Sequence, residues 1–429
     1  MNDKIISSIL ATTIKNLYEE INVKKDFIKG KSKILLIEPS FNHEEILEAL
    51  ESMISTNVTM GKKVKLFQDQ FAKYCNVNYA TMTNSGSSAN LVAISALTNP
   101  EFKNRIKKNS EVITPAVTWA TTIFPLVHGN LKPKLLDIDI ETFCIDSDQI
   151  SDAITKDTGL ILPVHLLGNV CDMDKITEIS NKKEIFLMED CCEAHGAKFK
   201  NKSVGTFGEI GTFSFFLSHH ITTVEGGMLI TNDYLLDELF KVTRAFGWTR
   251  DLKEREKINK KNPTIDPRFL FVNLGYNLRP TDIQGGFGIK QLPKLDNFLK
   301  IRTENFQYWT KSLKQYEEFF ILPKKQKNVK QAHFCYPLTI RGSSPFKRKD
   351  LTTYLEKNNI ETRPIMAGNI AEQPVMKLIK YSKKGELPNS KLAMRNSFFF
   401  GNHHGIGKVE REFVVDTIAQ FIERKIWKK

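Results

Sequence analysis

The sequence predicts an α/β protein with a large, mostly parallel sheet and a smaller α+β unit at its C-terminal end. Three observations lead there. From about residue 55 to 295, short apolar runs alternate with helical patterns, as repeated β-α units do. The candidate strands are Glu111–Thr114, Pro133–Ile138, Leu160–His165, Glu184–Met188, Gly211–Phe215 and Gly227–Thr231. Around Leu292–Leu299 a long helical pattern begins, with Pro293 bending or capping it. Finally, 429 residues exceed the roughly 250–300 at which a single core stops growing. The expected division is a helical extension over 1–50, a large domain over 51–295 and a small domain over 296–429.

In the N-terminal extension Ile5, Ile6, Ile9, Leu10, Ile14, Leu17 and Ile21 recur at helical spacing. An amphipathic arm, packed on its own domain or on a partner subunit, fits this pattern. A membrane helix does not, because the stripe is narrow and its flanks carry both signs of charge. No apolar run approaches the ~20 residues that span a bilayer. The first twenty residues lack the segments of a signal peptide, so a cytoplasmic location is expected.

The cysteines, at 75, 144, 171, 191, 192 and 335, form no C-x-x-C pair, which argues against a disulfide framework or structural zinc. Lys and Arg number 62 against 49 Asp and Glu, a net charge of +13. These residues are spread along the chain, with short clusters at Lys324–Lys330 and Lys257–Lys261, and no recognition-helix or zinc-finger pattern accompanies them. Nucleic acid is therefore not an expected partner. A phosphorylated cofactor and a diphosphate substrate would use the same positive field.

Three segments carry candidate chemistry. Thr83 to Asn90 reads Thr-Asn-Ser-Gly-Ser-Ser-Ala-Asn and opens a helical run. Small residues before a helix let free backbone N–H groups approach an anion, although a plain N-cap accounts for the serines too. Next, an apolar strand ends in Glu189-Asp190, placing carboxylates at the carboxyl edge of the sheet, where ligands of open α/β sheets gather. A carboxylate there can pair with a pyridinium nitrogen, or it can be a solvated loop acid. Third, the strand ending at Ser214-Phe215 runs into a polar turn holding His219 and His220, closed by Glu225-Gly226-Gly227. Adjacent histidines rarely converge on one ion, and no third ligand lies at a typical spacing, so no metal is expected.

Together with Gly61, Pro115-x-x-Thr118-Trp119, Asp137-Ile138-Asp139, Pro163-Val164-His165, Arg244-x-x-Gly247, Gly275-Tyr276-Asn277-x-Arg279 and Gln291-Leu292, these segments occur in an order that resembles the sugar-nucleotide aminotransferases and dehydratases of the DegT/DnrJ type. The likeness covers nearly the whole chain after residue 50. It implies a type I aminotransferase-like fold that binds pyridoxal or pyridoxamine phosphate. Carried over by position, Asp190 pairs with the pyridine nitrogen, Trp119 stacks on the ring, and Glu193 sits near the ring hydroxyl. Gly86, Ser87, Ser88 and Ser214 hold the phosphate. Asn277 reaches the phosphate of a neighbouring subunit, which implies a homodimer with shared sites.

One position departs from the aminotransferase pattern. Those enzymes place their cofactor-bonding lysine five residues after the serine, and here that residue is His219. Imidazole cannot bond the cofactor as an imine, but it moves protons near neutral pH. This substitution resembles the branch of nucleotide-4-keto-6-deoxyhexose 3-dehydratases. That branch implies removal of the C3 hydroxyl from a nucleotide-activated 4-keto-6-deoxyhexose, giving a 3,6-dideoxysugar precursor of lipopolysaccharide or another surface polysaccharide. His219 would be the base, Asp190 would keep the ring protonated, and an amino donor such as glutamate would recharge the cofactor. His220 and Arg363 are substrate-binding candidates, although His220 also fits a structural role bonded to backbone. His165 and His195 fit a supporting layer. Some relatives hold an iron–sulfur cluster on cysteines after the Arg-x-x-Gly motif. Trp248 to Leu270 contains none and Cys192 stands alone, so no cluster is expected. Two alternatives stay open: an ordinary sugar aminotransferase, and a catalytically silent protein binding a nucleotide sugar or a partner enzyme.

Overall fold

A computed structural model of the chain describes residues 3–23 and 26–426. Its centre is an eight-stranded sheet. Across the sheet the strands are Tyr79–Thr83, Gly227–Thr231, Ile210–Ser214, Phe186–Asp190, Thr158–Ile161, Glu111–Pro115, Lys132–Leu136 and Ser382–Lys383. Gly227–Thr231 runs antiparallel to both neighbours, and every other pairing is parallel. Both faces are covered, so apolar residues alternate between two cores instead of between core and water. Leu187, Met228 and Ile230 join Phe67, Phe71, Phe213 and Phe215 on one face. Met188 and Leu229 join Val92, Leu97, Leu236 and Phe240 on the other.

A second antiparallel sheet orders Phe320–Ile321, Cys335–Ile340, Ser397–Gly401 and Thr362–Pro364. Its core holds Trp309, Tyr336, Phe398 and Phe400. Pro293 lies in a single 3₁₀ turn, Leu292–Lys294, that leads into the helix Leu295–Leu313. There its missing N–H and fixed φ are tolerated.

Several local expectations shift. The strand expected over 160–165 ends at Ile161, because Pro163 has no N–H for a ladder. Glu184 takes a left-handed helix cap (φ 52°), so the next strand starts at Phe186. Tyr79–Thr83, absent from the expected strands, forms one edge. The N-terminal extension is not helical throughout. The helices Asp3–Ile21 and His43–Ile54 flank an extended stretch in which Ile34 bridges Ile360 and enters the second core. On the first helix Ile9, Leu17 and Ile21 are exposed while Leu10 and Ile14 are half-buried, and the side chains of Ile5 and Ile6 lie outside those described. The chain also returns late to the large sheet: Ser382–Lys383 pairs beside Lys132–Leu136, and Ile370, Met376 and Leu387 pack with Ala116, Ile123 and Leu135.

Candidate active site

The parallel strands end on one edge, and a cavity of about 540 Å³ opens there. Asp190, the last residue of its strand, is buried at the cavity wall. Its Oδ2 accepts from Asn90 Nδ2 (3.0 Å) and Thr122 Oγ1 (2.9 Å), and its Oδ1 accepts from the Cys192 backbone N–H (3.2 Å). Three donors fix the orientation of the carboxylate.

Opposite it stands the turn before the helix Gly86–Leu97. Ser85 caps that helix by accepting from the Ser88 N–H (3.1 Å). The turn must nearly touch its neighbours: a Cβ on Gly86 would lie 2.4 Å from Ser214 Cβ, and one on Gly227 would lie 2.1 Å from the Ser85 carbonyl oxygen. Ser85, Gly86, Ser87 and Ser214 line the cavity. Ser88 does not, because its hydroxyl donates inward to Asn84 Oδ1 (2.6 Å). The Ser88 hydroxyl is thus turned away from the cavity where a phosphate contact was expected, and Ser85, the helix cap, takes the wall position.

Trp119, 56% exposed, caps the next helix and faces the cavity. Glu193 lines it too, with Oε2 accepting from the Leu167 N–H (2.8 Å). Burial pushes its carboxyl up to about 8, so it carries a proton at neutral pH and can donate a hydrogen bond as glutamine does. A folded-state value above the ordinary 4.5 makes this a contribution present in full below about pH 4.5 and lost as pH rises through about 8. Melting temperature should thus fall more steeply from about pH 6 to about pH 9 in the wild type than in Glu193→Gln. Parallel curves would show that Glu193 is already ionised.

His219 lines the cavity between Phe334 and His195, with ring centroids 5.5 and 6.0 Å away. Its Nδ1 is buried with no partner. Burial, and then the Arg302 guanidinium, push its imidazole down to about 3, so it is neutral at physiological pH. His220 is not at the cavity: it is buried with Nε2 3.1 Å from the Ala332 carbonyl, so its candidacy as a substrate contact gives way to the backbone-bonded role. Arg363 lies exposed on the cavity wall, as a substrate contact requires. Asn277 is exposed away from its own cavity, with Oδ1 accepting from Arg279 Nε (3.1 Å).

His195 is fully buried among Phe213, Phe215 and the two turn histidines. His165 lies beside Glu189 and Cys191, close enough together to suggest a metal site. The donors there are already engaged. His165 Nε2 donates to Glu189 Oε2 (3.0 Å) while its Nδ1 accepts from the Cys171 N–H (3.2 Å). The Glu189 oxygens also accept from the N–H groups of Gly205, Phe207 and Gly208. The carboxylate is saturated, and the cluster locks the strand end that presents Asp190.

Comparison with known proteins agrees with this geometry. Residues 39–419 match the DegT/DnrJ/EryC1/StrS aminotransferase family. The chain is 40% identical over 360 residues to GDP-4-keto-6-deoxy-D-mannose 3-dehydratase of Escherichia coli O55:H7, covering 83% of this chain and 92% of the relative. A solved structure of the E. coli GDP-4-keto-6-deoxy-D-mannose 3-dehydratase with bound hydrated pyridoxal phosphate superimposes with a TM-score of 0.85 at 36% identity, covering 91% of this chain and 99% of the other. Another structure of a GDP-4-keto-6-deoxymannose 3-dehydratase, with a trapped pyridoxal phosphate–glutamate geminal diamine, gives 0.83 at 37% identity, covering 91% and 99%. With its type I aminotransferase-like architecture and a matched span that includes every strand of both sheets, the chain belongs to the DegT/DnrJ/EryC1/StrS aminotransferase family.

Proposed function

We propose that this protein is a pyridoxamine phosphate-dependent 3-dehydratase acting on a nucleotide-activated 4-keto-6-deoxyhexose. One observation carries the reading against the aminotransferase alternative. The position five residues after Ser214 presents His219 to the cavity, and among the described residues no lysine lines it. The dehydratase relatives, structurally matched over nine-tenths of the chain, support the same choice.

The residues present fit the cofactor. Asp190 offers a buried, oriented carboxylate for a pyridinium N–H. Gly86 and Gly227 leave a close-packed turn at a helix N-terminus where Ser85, Ser87 and Ser214 can receive a phosphate. Trp119 supplies an aromatic face and Glu193 a protonated carboxyl for the ring oxygen. When bound, the cofactor supplies an amine to engage the sugar C4 ketone and a ring that accepts electrons. Asp190 keeps the ring nitrogen protonated. His219 takes a proton from the cofactor's C4′ carbon and stands ready to return it as the C3 hydroxyl leaves. Arg363, at the exposed side, meets the diphosphate or the sugar. Glutamate is the amino donor in this reading.

The decisive experiment incubates the protein, glutamate and pyridoxal phosphate with CDP-, GDP-, dTDP- and UDP-linked 4-keto-6-deoxyhexoses and reads loss of one oxygen by mass spectrometry. Transfer of an amino group without deoxygenation would favour the aminotransferase, and no turnover at all the silent binder.

The same reading includes a homodimer. Phe269, Phe271, Val272, Leu274 and Tyr276 are exposed beside Asn277, and an apolar strip of this kind suits a subunit contact. Asn277→Ala should weaken cofactor retention severalfold without unfolding the chain, because it removes one donor among several. Equilibrium dialysis and sedimentation test this together: a monomer, or unchanged retention, would remove Asn277 from a shared site. No helix among the described residues is long and apolar enough to cross a membrane, and we place the protein in the cytoplasm.

A further inference from the structure

Three imidazoles meet behind the cavity wall. His195 follows the strand end at Asp190, and His219 and His220 sit in the turn after Ser214. The ring centroid of His195 lies 6.0 Å from that of His219 and 5.5 Å from that of His220. His195 is 0% exposed and His220 1%. The three rings hold four enclosed nitrogens with no hydrogen-bond partner: His219 Nδ1, both nitrogens of His195, and His220 Nδ1. Buried polar atoms are ordinarily paired, and leaving one unpaired is costly. Four orphans on three adjacent rings therefore call for an explanation that pairs them with one another.

The tautomers supply it. Burial keeps each ring neutral near neutral pH, so each has one N–H and one lone pair. His220 Nε2 lies 3.1 Å from the Ala332 carbonyl, which can only accept, so Nε2 carries the proton and Nδ1 holds the lone pair. His219 Nδ1 is enclosed while the ring lines the cavity, so Nε2 is the nitrogen that faces the cavity. A base needs its lone pair there, which puts the proton on Nδ1. That N–H needs an acceptor. The neighbouring rings of Phe216 and Phe334 offer none, and His195 does. His195 then has one N–H to give, and the lone pair beside it is His220 Nδ1. The Ser214 backbone is also near His195, but outside hydrogen-bond geometry with either nitrogen. Two imidazoles joined by an N–H···N bond of about 2.9 Å have centroids roughly 5–5.5 Å apart. His195 and His220 already stand at that spacing, and a small ring rotation or one bridging water joins His195 to His219.

We infer that His195 is a positioning residue for His219: it accepts from the His219 Nδ1–H, donates to His220 Nδ1, and so leaves the His219 Nε2 lone pair aimed into the cavity. The Ala332 carbonyl anchors the direction of the chain, and all four orphaned nitrogens find partners in it. The chain also offsets the burial that disfavours an imidazolium. When Nε2 takes up a proton, the Nδ1–H bond becomes charge-assisted and roughly twice as strong, which stabilises the protonated base. The inference rests on the reading of His219 as the base.

The test reads tautomers first and turnover second. Full-length protein loaded with pyridoxamine phosphate and labelled in its histidine rings is examined by NMR near neutral pH, where protonated and lone-pair ring nitrogens resonate apart. His219→Asn and His220→Asn assign the signals. In the wild type His219 should carry its proton on Nδ1 and His220 on Nε2. His195→Leu offers no acceptor and should move the His219 proton to Nε2. Single-turnover deoxygenation with preloaded cofactor should then fall roughly 10²-fold, the lower end of a general base's contribution. His195→Gln keeps one acceptor and one donor, so it should retain the Nδ1–H form and most of the rate. An Nε2–H tautomer of His219 in the wild type overturns the inference, and so does an unchanged Nδ1–H form in folded His195→Leu. If His195→Leu does not fold, the wild-type tautomers decide alone. A flipped tautomer with normal deoxygenation, where His219→Asn is impaired, also overturns the positioning role. If the tautomers behave as stated while His219→Asn deoxygenates normally, the hydrogen-bond chain stands and the base assignment falls.

Discussion

Replacing His219 with asparagine is expected to lower deoxygenation by roughly 10²–10⁴-fold, the usual contribution of a positioned general base. Cofactor retention should hardly change. The groups that would grip the cofactor are Asp190, the Ser85–Ser87 turn, Ser214 and Trp119, and none depends on the imidazole for its placement. Asparagine fills much the same space and has no titratable nitrogen. Single-turnover measurements with preloaded cofactor read the loss directly, and near-normal rates would exclude His219 as the proton carrier. His219→Lys probes the same position from the other side. An amine there should bond the cofactor covalently, so borohydride reduction should leave a protein heavier by the reduced cofactor. No such adduct would mean that position 219 does not reach the reacting carbon.

How far these residues were legible beforehand depends on how local their signals are. Asp190 and Ser214 end apolar strands, and a strand end in an open sheet has a known place at the ligand edge. His219 was legible by its offset from Ser214. Ser88 shows the limit of such counting. Its neighbour Ser85 took the cap, which turned the Ser88 hydroxyl inward to Asn84 and left Ser85 and Ser87 on the wall. Arg302 left no local trace. It sits 83 positions after His219 in the chain, on a helix whose charged residues look like an ordinary solvated face, and its partners are backbone carbonyls that carry no sequence signature. The return of Ser382–Lys383 to the large sheet was hidden likewise. A two-residue parallel pairing at a sheet edge, built from Ser and Lys, has no apolar run to announce it.

Each sugar deoxygenated should consume one glutamate and release one 2-oxoglutarate and one ammonia, with no reductase or NAD(P)H required. Exchanging the C3 hydroxyl for hydrogen, with the C4 ketone restored, takes up two electrons and two protons. Oxidation of glutamate to 2-oxoglutarate and ammonia, with one water consumed, releases the same two electrons and two protons, and the water lost from the sugar balances the one consumed. An iron–sulfur relay would need several thiolates around one centre. Cys75, Cys144, Cys171, Cys191 and Cys335 are buried, and among the described residues no three cysteines bring their sulfurs together. Cys192 lines the cavity, yet its neighbour Cys191 belongs to the packed core beneath the sheet. Withholding glutamate should therefore reduce turnover to at most one equivalent per preloaded site, and adding it back should restore multiple turnovers in proportion. Sustained turnover driven by a reductase and NAD(P)H, without 2-oxoglutarate, would overturn this account even if the protein held no iron, because a separate flavoprotein could feed electrons to the site. The stoichiometry thus decides the electron source where metal content alone does not.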